Sequence, residues 1–346
     1  MNRATFAASS VAAAAAVMVP RSIAANAGEP SFRFRSGFWQ NLHHTLYYQA
    51  QVLETVYGSG SKRLAPIDQA AFTDLQQITA SDQESWYRAL RTYRDRYASL
   101  SFVFDDTLMN ADNEISGDEA TPLSMTLPAA MLGALETAAP AYRKSLWERH
   151  DASNRAFIAS LGKLVAANGC FLSRQLRSIY KTPWLAQPYV VDVVPYAQWE
   201  GSYSNNAAGF VHIVMSVQDP SESGMGGLDV LFHEASHSIA DPDKGTIGAA
   251  IVAEAARLNR PAPDQFWHAV IMYTPGKLVE ELAARSGMQY TMVWMQPGLL
   301  GRAWSRYYQA LETHWLPYMR GTGTLEAAIA RCVDDITATP PTRPKR

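Results

Sequence analysis

Two histidines and a glutamate in the segment H-E-A-S-H, residues 233–237, require a helical backbone if they are to act together. Residues four positions apart lie on one face of an α-helix, one turn from each other. The flanking sequence favours that helix, because apolar residues recur with helical period at positions 228, 231, 232, 235 and 239. A glycine-rich turn at 221–227 precedes the helix, and the sequence Asp241-Pro242-Asp243 follows it. Since the residues beside the motif are uncharged, the sequence predicts a helix buried in the middle of a domain.

The H-E-x-x-H pattern on a helix is typical of a metal site. Both imidazoles can close on a single Zn²⁺ at about 2.0–2.1 Å. Glu234 projects one residue further round the helix, where its carboxylate can reach a water molecule bound to the metal. Zinc lowers the pKa of such a water to about 7, and the carboxylate can take its proton as the hydroxide attacks a carbonyl group. The motif therefore predicts one zinc ion per chain, with His233 and His237 as ligands and Glu234 as the general base.

The region from Tyr189 to about Tyr273 resembles the zincin metallopeptidases, and the resemblance rests on the order of elements as well as on the motif. Zincins place a strand upstream of the metal helix, and a peptide substrate lies along that strand at the edge of the sheet. Residues 210–217 occupy the matching place. The region is also similar to a group of uncharacterised secreted bacterial proteins that share the H-E-A-S-H helix and a W-H-A-x-x-x-Y-T-x-G segment, here residues 267–276. The resemblance implies hydrolysis of peptide or protein substrates.

The third zinc ligand departs from the family patterns. Metzincins continue H-E-x-x-H-x-x-G-x-x-H, but Ala240 and Asp243 occupy the Gly and His places here, which excludes that branch. Gluzincins take a glutamate from a following helix, and Glu254 is the nearest candidate, although the N-E-x-x-S-D setting is absent. His268, which lies in an apolar segment, is the rival and is favoured, because a neutral imidazole is a good zinc ligand. Two further alternatives are Glu280 and Glu281.

Two of these side chains have other predicted roles. The helical period places Glu254 on the apolar face of its helix, so a Glu254 that does not bind the metal needs a cation or a hydrogen-bond donor as its partner. It could also accept the second N–H of a ligand histidine. Tyr273, five positions after His268, is a candidate donor to the oxyanion of a tetrahedral intermediate, the alternative being an ordinary core tyrosine.

The rest of the sequence predicts an α+β fold that is predominantly helical, with a small sheet just before the motif helix. Helices are expected at 39–57, 83–100, 127–135, 142–180, 228–240, 247–258, 265–273, 277–285, 302–313 and 325–335. Two neighbouring strands are expected at 189–195 and 210–217, joined by a loop in which Trp199 and Tyr203 are candidates to line a cleft. Residues 28–338 are interpreted as one catalytic domain, with a mainly helical lobe at 28–187 and a metal-site lobe at 188–338, and residues 339–346 as a flexible tail.

Residues 1–27 are typical of a secretory signal peptide. A basic start is followed by a small, apolar run at 4–19 and by an Ala-x-Ala site at 25–27. Cleavage there removes two of the 30 basic residues and none of the 32 acidic ones, which gives a net charge of −4. This charge argues against nucleic-acid binding. No later apolar run is long enough for a membrane anchor. We therefore expect an exported protein, periplasmic or extracellular, in which Cys170 and Cys332 could pair but have no diagnostic spacing.

The remaining histidines and acidic pairs carry weaker signals. His43 and His44 are adjacent and cannot form an i, i+4 clamp, so a solvated or capping role is expected. For His212 a cross-strand hydrogen bond is the expected role, and Asp105-Asp106 and Asp334-Asp335 are expected at the surface. Two other functions remain open: a zinc hydrolase that acts on a non-peptide bond, and a helical envelope-binding protein with a structural or vestigial metal site.

Overall fold

The computed structural model describes residues 29–58, 65–118, 121–198, 201–207, 209–240, 245–295 and 305–338. Most of them are helical, and a four-stranded mixed sheet accompanies the helices. The predicted α+β, predominantly helical fold class is confirmed. The predicted signal peptide, the predicted tail and Trp199 lie outside the described residues.

Twelve α-helices are present in the described residues. In chain order they are α1 (Phe38–Gly58), α2 (Pro66–Gln76), α3 (Gln83–Arg96), α4 (Asp106–Ile115), α5 (Ala129–Tyr142), α6 (Glu148–Tyr180), α7 (Met225–Ala240), α8 (Thr246–Arg257), α9 (Phe266–Arg285), α10 (Ser305–Ala310), α11 (Leu316–Met319) and α12 (Leu325–Ala338). The strands are β1 (Phe32–Arg35), β2 (Tyr189–Val194), β3 (Tyr203–Ala207) and β4 (Phe210–Ser216).

The sheet has the order β1-β2-β4-β3. Strands β1, β2 and β4 are parallel, and β3 runs antiparallel to β4. The expectation that residues 210–217 form the edge strand is wrong, because β4 pairs with strands on both sides. The edge strand beside β4 is β3, in the segment that the sequence predicted as a loop. Its polar composition is typical of a turn, but pairing with β4 satisfies its backbone hydrogen bonds.

The two faces of the sheet contact different hydrophobic clusters. On β4, Val211, Ile213 and Met215 face the cluster that contains α6, α7 and α9, while Val214 faces the cluster built mainly from α1, α3 and α5. Successive side chains of this strand therefore alternate between the two faces of the sheet. The metal-motif helix α7 lies on the first face of the sheet, and the N-terminal helices cover the other face.

Helix α9 is one continuous helix where the sequence predicted two. It runs through Pro275, and Gly276 follows. Proline has no N–H to donate and is usually found near a helix end, which is why the break was expected there. At residues 129–180, α5 and α6 are joined by a π-helical turn, and this run is long and apolar enough to cross a membrane by length and composition alone. Core helices of soluble proteins and signal sequences meet the same criterion, so the run is weak evidence for a membrane span; 28% of its apolar window is buried.

Candidate metal centre

Helix α7 holds the H-E-A-S-H segment in the interior of the protein, as the sequence predicted. All of its residues except Met225 and His237 are buried. Gly226 and Gly227 permit the close approach of the preceding turn, because a Cβ on either would lie 1.9 Å and 2.5 Å from backbone oxygens of that turn. The helix packs against α6, α9 and the sheet. The side chain of His237 is 25% exposed, so the motif helix meets solvent at this histidine.

Three histidines converge at this point: His233 and His237 from α7, and His268 from α9. One ring nitrogen of each lies within 4.8 Å of the others, and within the described part of the chain they form the one cluster of histidine, cysteine and acidic side chains with metal-site geometry. The Nε2 atoms of His233 and His268 are 3.4 Å apart. Two nitrogens bound tetrahedrally to zinc at about 2.0–2.1 Å are separated by about 3.3–3.4 Å. The spacing therefore suits a single zinc ion.

The backbone of α9 fixes the orientation of His233. Its Nδ1 lies 3.1 Å from the carbonyl oxygen of Ile271. A carbonyl can only accept a hydrogen bond, so Nδ1 carries the proton and Nε2 is left with its lone pair. This tautomer directs Nε2 to the other two histidines, as a metal ligand requires.

An indole ring covers the third histidine. Trp267 stacks on His268 with ring centroids 5.2 Å apart and an 18° angle between the planes. The same indole makes a T-shaped contact with the ring of His237, with centroids 5.6 Å apart. Because Trp267 is only partly buried, it forms an apolar wall beside the histidines at the protein surface. Such a wall restricts the ring of His268 and excludes water from one side of the site.

Glu234 lies beside the three histidines with its carboxylate held in place. Its two carboxylate oxygens are 3.6 Å from His233 Nε2 and 3.9 Å from His237 Nε2. The hydroxyl of Ser204, on the edge strand β3, donates to Glu234 Oε2 at 2.9 Å. Burial raises the pKa of Glu234 to about 8, although the Ser204 hydrogen bond acts in the opposite direction. A carboxylate with this placement can accept a proton from a water molecule at the histidine cluster.

Burial also makes the three imidazoles poor bases. It lowers the pKa of His233 to about 4, although the hydrogen bond with Ile271 opposes the shift. Burial and the neighbouring histidines lower the pKa of His237 and of His268 well below the usual value. Neutral imidazole is the form that binds metal, so protons compete weakly for this site near neutral pH.

The structure brings His268, the favoured candidate for the third ligand, into the cluster. The three glutamate candidates lie outside it. Glu254 accepts two hydrogen bonds from Arg257, at 2.6 and 2.8 Å, which supplies the cation partner expected for a glutamate away from the metal. Glu280 accepts from Lys277 and from the Met292 backbone. The remaining candidate, Glu281, lies near Arg285 and Arg320. None of the three belongs to the histidine cluster.

The prediction that Tyr273 serves as an oxyanion donor is wrong. Its hydroxyl donates to Glu312 Oε1 at 2.7 Å, and its ring packs on Trp294 and Tyr308. Five residues along a helix correspond to a rotation of about 140°, so Tyr273 and His268 lie on different faces of α9. Tyr203 was expected to line the cleft, and this is also wrong, because its side chain is buried on the opposite face of the sheet from α7.

The expectation that His43 and His44 are solvated or capping residues is wrong, because both are fully buried. Asp112 accepts hydrogen bonds from the Tyr203 hydroxyl and from Gln40, and one of its oxygens lies 3.1 Å from His44 Nε2. His43 contacts the Tyr93 hydroxyl at 2.7 Å. Local sequence patterns do not reveal this network, since Asp112 and Tyr203 lie 68 and 159 residues from His44 along the chain.

His212 makes the cross-strand hydrogen bond that the sequence predicted. Its Nε2 lies 2.9 Å from the carboxylate of Asp192 on β2, and its Nδ1 lies 2.9 Å from Asn113. Burial would lower the pKa of His212, but the charges of Asp112 and Asp192 outweigh it and raise the pKa. The acidic pairs expected at the surface are exposed or partly so: Asp105, Asp106, Asp334 and Asp335. Cys170 and Cys332 are both free thiols.

The chain matches no family model, no curated protein and no solved structure in the comparisons made. The chemistry of the site therefore rests on its own geometry: three clustered imidazoles, two of them partly exposed, and a buried carboxylate beside them.

Proposed function

We propose that this protein is a zinc-dependent hydrolase and that its substrates are peptides or proteins. The observation that carries the proposal is the convergence of His233, His237 and His268 beside the carboxylate of Glu234. Zinc sites with three protein ligands keep a fourth position for water, whereas structural zinc sites usually have four protein ligands. The partial exposure of His237 favours the open kind, because substrate can approach there.

The roles of the side chains follow from their positions. His233, His237 and His268 hold the metal, which supplies an activated water when bound. Glu234 would accept a proton from a water molecule at the histidine cluster and would transfer it to the leaving group. Ser204 holds one oxygen of Glu234, so the carboxylate keeps a fixed direction relative to the histidines. Glu254 and Tyr273, which the sequence offered as ligand and oxyanion donor, have no part in this scheme.

The edge strand β3 favours peptides as the substrate class. The zincin resemblance implies the same class of substrate. Strand β3 pairs with β4 on one side and has no neighbouring strand on its other side in the described residues. Because Ser204 of this strand contacts Glu234, the strand passes directly beside the histidine cluster. An extended peptide can add to such an edge through main-chain hydrogen bonds, which favours tolerance of many side chains.

Metal analysis of the purified protein tests the proposal. We expect about one zinc per chain in the wild type, loss of zinc in His233→Ala and in His268→Ala, and full zinc content in Glu254→Gln. Glu254→Gln is the matched control, because it removes a carboxylate of the same lobe that pairs with Arg257. A wild-type protein that binds no zinc after reconstitution contradicts the proposed site.

Activity is tested separately with a library of degenerate peptides. Zinc-loaded wild type should cleave the library, and Glu234→Gln should retain zinc while losing cleavage by about 10²–10⁴-fold, the usual contribution of a general base. Retained zinc without cleavage of any peptide would favour the hydrolase of non-peptide bonds. Equal cleavage by wild type and Glu234→Gln would refute the role of Glu234.

The place of action is part of the same proposal. A protein that begins with a cleavable signal acts outside the cytoplasm, with residues 1–27 removed. N-terminal sequencing of protein recovered from the periplasm or medium of a bacterial host should begin at Gly28. An intact Met1 on protein found only in the cytoplasm would contradict this expectation.

A further inference from the structure

Helix α9 carries a proline in its interior, one helical turn after a residue that contacts the histidine cluster. In a regular α-helix the N–H of residue 275 would donate to the carbonyl of residue 271. Pro275 has no N–H, so the carbonyl oxygen of Ile271 receives no such hydrogen bond from within the helix. Both residues are buried, and water is therefore a poor substitute for the missing donor.

The acceptor that Pro275 leaves open is the one that His233 uses. Nδ1 of His233 lies 3.1 Å from the Ile271 oxygen, across the contact between α7 and α9. This hydrogen bond places the proton on Nδ1 and the lone pair on Nε2, which lies 3.4 Å from Nε2 of His268. The carbonyl of Ile271 therefore connects the break in α9 to the tautomer of His233 on α7.

The residue after the proline lies near the same helix contact. A Cβ at Gly276 would lie 2.8 Å from Cβ of Met292, which follows α9 along the chain, and 3.3 Å from a carboxylate oxygen of Asp229, one turn before His233 on α7. Gly276 therefore leaves room mainly for Met292, and a side chain there would also crowd the Asp229 carboxylate.

We propose that Pro275 is a positioning residue for the metal site: by withholding an N–H from Ile271, it reserves that carbonyl for His233 and fixes the metal-binding tautomer. The inference rests on the proposed function, since it assigns His233 as a metal ligand. It adds a residue that touches neither the metal nor the substrate. It also explains why a helix with a proline in its interior continues without a break.

The variant that tests it is Pro275→Ala, which restores the N–H and leaves the rest of the site unchanged. The new N–H competes with His233 for the Ile271 oxygen. We expect the dissociation constant for Zn²⁺ to rise about tenfold, the lower end of the 10–100-fold range for loss of an outer-shell partner, because the oxygen remains in place. The midpoint of thermal unfolding of the metal-free protein should stay the same or rise, since alanine suits a helix interior better than proline.

Weaker zinc binding without loss of thermal stability distinguishes a positioning role of Pro275 from a structural one. If Pro275 merely supports the fold, zinc affinity and thermal stability fall together. Pro140, inside α5, provides the matched control, because Pro140→Ala makes the same change far from the site. We expect Pro140→Ala to bind Zn²⁺ as the wild type does. A tenfold loss of affinity in Pro140→Ala, or none in Pro275→Ala, would overturn the inference.

Nuclear magnetic resonance of the metal-free protein gives a readout that needs neither zinc nor activity. The ring nitrogens of His233, labelled with ¹⁵N, should show a protonated Nδ1 in the wild type and a mixture of tautomers in Pro275→Ala. Unchanged tautomers in the two proteins overturn the inference. A wild type that shows the expected tautomer but binds no zinc refutes the proposed function and leaves the link between Pro275 and His233 standing.

A second variant keeps the test decisive if Pro275→Ala folds poorly. The ester analogue of alanine, lactic acid incorporated at position 275, has no N–H and no proline ring. We expect this analogue to retain the wild-type tautomer of His233 and wild-type Zn²⁺ affinity. Loss of both in the folded analogue would show that the ring of Pro275 matters rather than the missing donor.

Discussion

The pH dependence of zinc affinity tests the electrostatics of the histidine cluster. An imidazole must be neutral to bind zinc, so protons compete with the metal below the pKa of the ligand. Histidines in water have a pKa near 6.5. In this protein burial lowers the pKa of His233 to about 4 and that of His237 and His268 well below 6.5. Protons therefore compete for these three imidazoles less than they compete for free histidines at the same pH.

The magnitude follows from counting protons. For three independent ligands with a pKa of about 6.5, lowering the pH from 6.5 to 5.5 weakens zinc binding by about 170-fold. For His233 with a pKa of about 4, the same change has almost no effect. Glu234 contributes one proton that competes with zinc. Burial raises the pKa of Glu234 to about 8, so the carboxyl group is protonated in this pH range, and a cation nearby would displace that proton. We therefore expect about a tenfold loss of affinity in the wild type, from Glu234, and in Glu234→Gln a loss far below the roughly 170-fold of three unperturbed histidines.

The assay is competition for Zn²⁺ against a chromophoric chelator calibrated at each pH and constant ionic strength. Glu254→Gln serves as the control, because it removes a carboxylate outside the cluster and should follow the wild type. Calorimetry in two buffers of different ionisation enthalpy counts the released protons independently. A loss of 100-fold or more in Glu234→Gln would mean that three protonated histidines compete with zinc, and the argument from burial would be refuted.

Two further predictions concern side chains that touch no metal. Asp112→Asn should lower the free energy of unfolding, measured in urea, by about 3–5 kcal/mol, because His212 loses a buried countercharge. The folded variant should still bind zinc. A loss of stability below about 1 kcal/mol would contradict this prediction. Ser204→Ala, assayed at saturating zinc, should lower kcat/KM on a cleaved peptide by about tenfold, since Glu234 loses its hydroxyl donor. Ser238→Ala on the same lobe should leave kcat/KM unchanged, and equal effects of the two changes would exclude a specific role for Ser204.

Local sequence patterns predicted the features that depend on neighbours along the chain, namely the helices, two of the strands and the spacing of the motif histidines. The helical period and the i, i+4 spacing placed His233 and His237 on one face of α7, and the β-branched runs predicted β2 and β4. His268 could be favoured because its apolar surroundings and residue type suit a ligand, but its meeting with α7 depends on helix packing. The error on Tyr273 was avoidable, since a separation of five residues already turns it away from His268.

What the sequence did not predict depends on contacts between distant segments. Strand β1 pairs with β2 across more than 150 residues, and four residues are too few for a periodic signal. Strand β3 has the composition of a loop and becomes a strand because β4 offers it hydrogen bonds. The burial of His44 depends on Asp112, 68 residues away, and no pattern along one chain encodes such a pairing. Propensity is a weak guide wherever tertiary contacts supply the stabilising interactions.

Strand β3 links the buried polar network to the candidate metal centre. Successive residues of a strand point to opposite faces of the sheet. Tyr203 points to the N-terminal helices and donates to Asp112 on α4, while Ser204 points to α7 and donates to Glu234. An edge strand has a partner on one side only, so these two side chains fix its position on both faces. The N-terminal helices therefore contribute to the direction of Glu234 through one peptide unit of β3, although none of their side chains belongs to the histidine cluster.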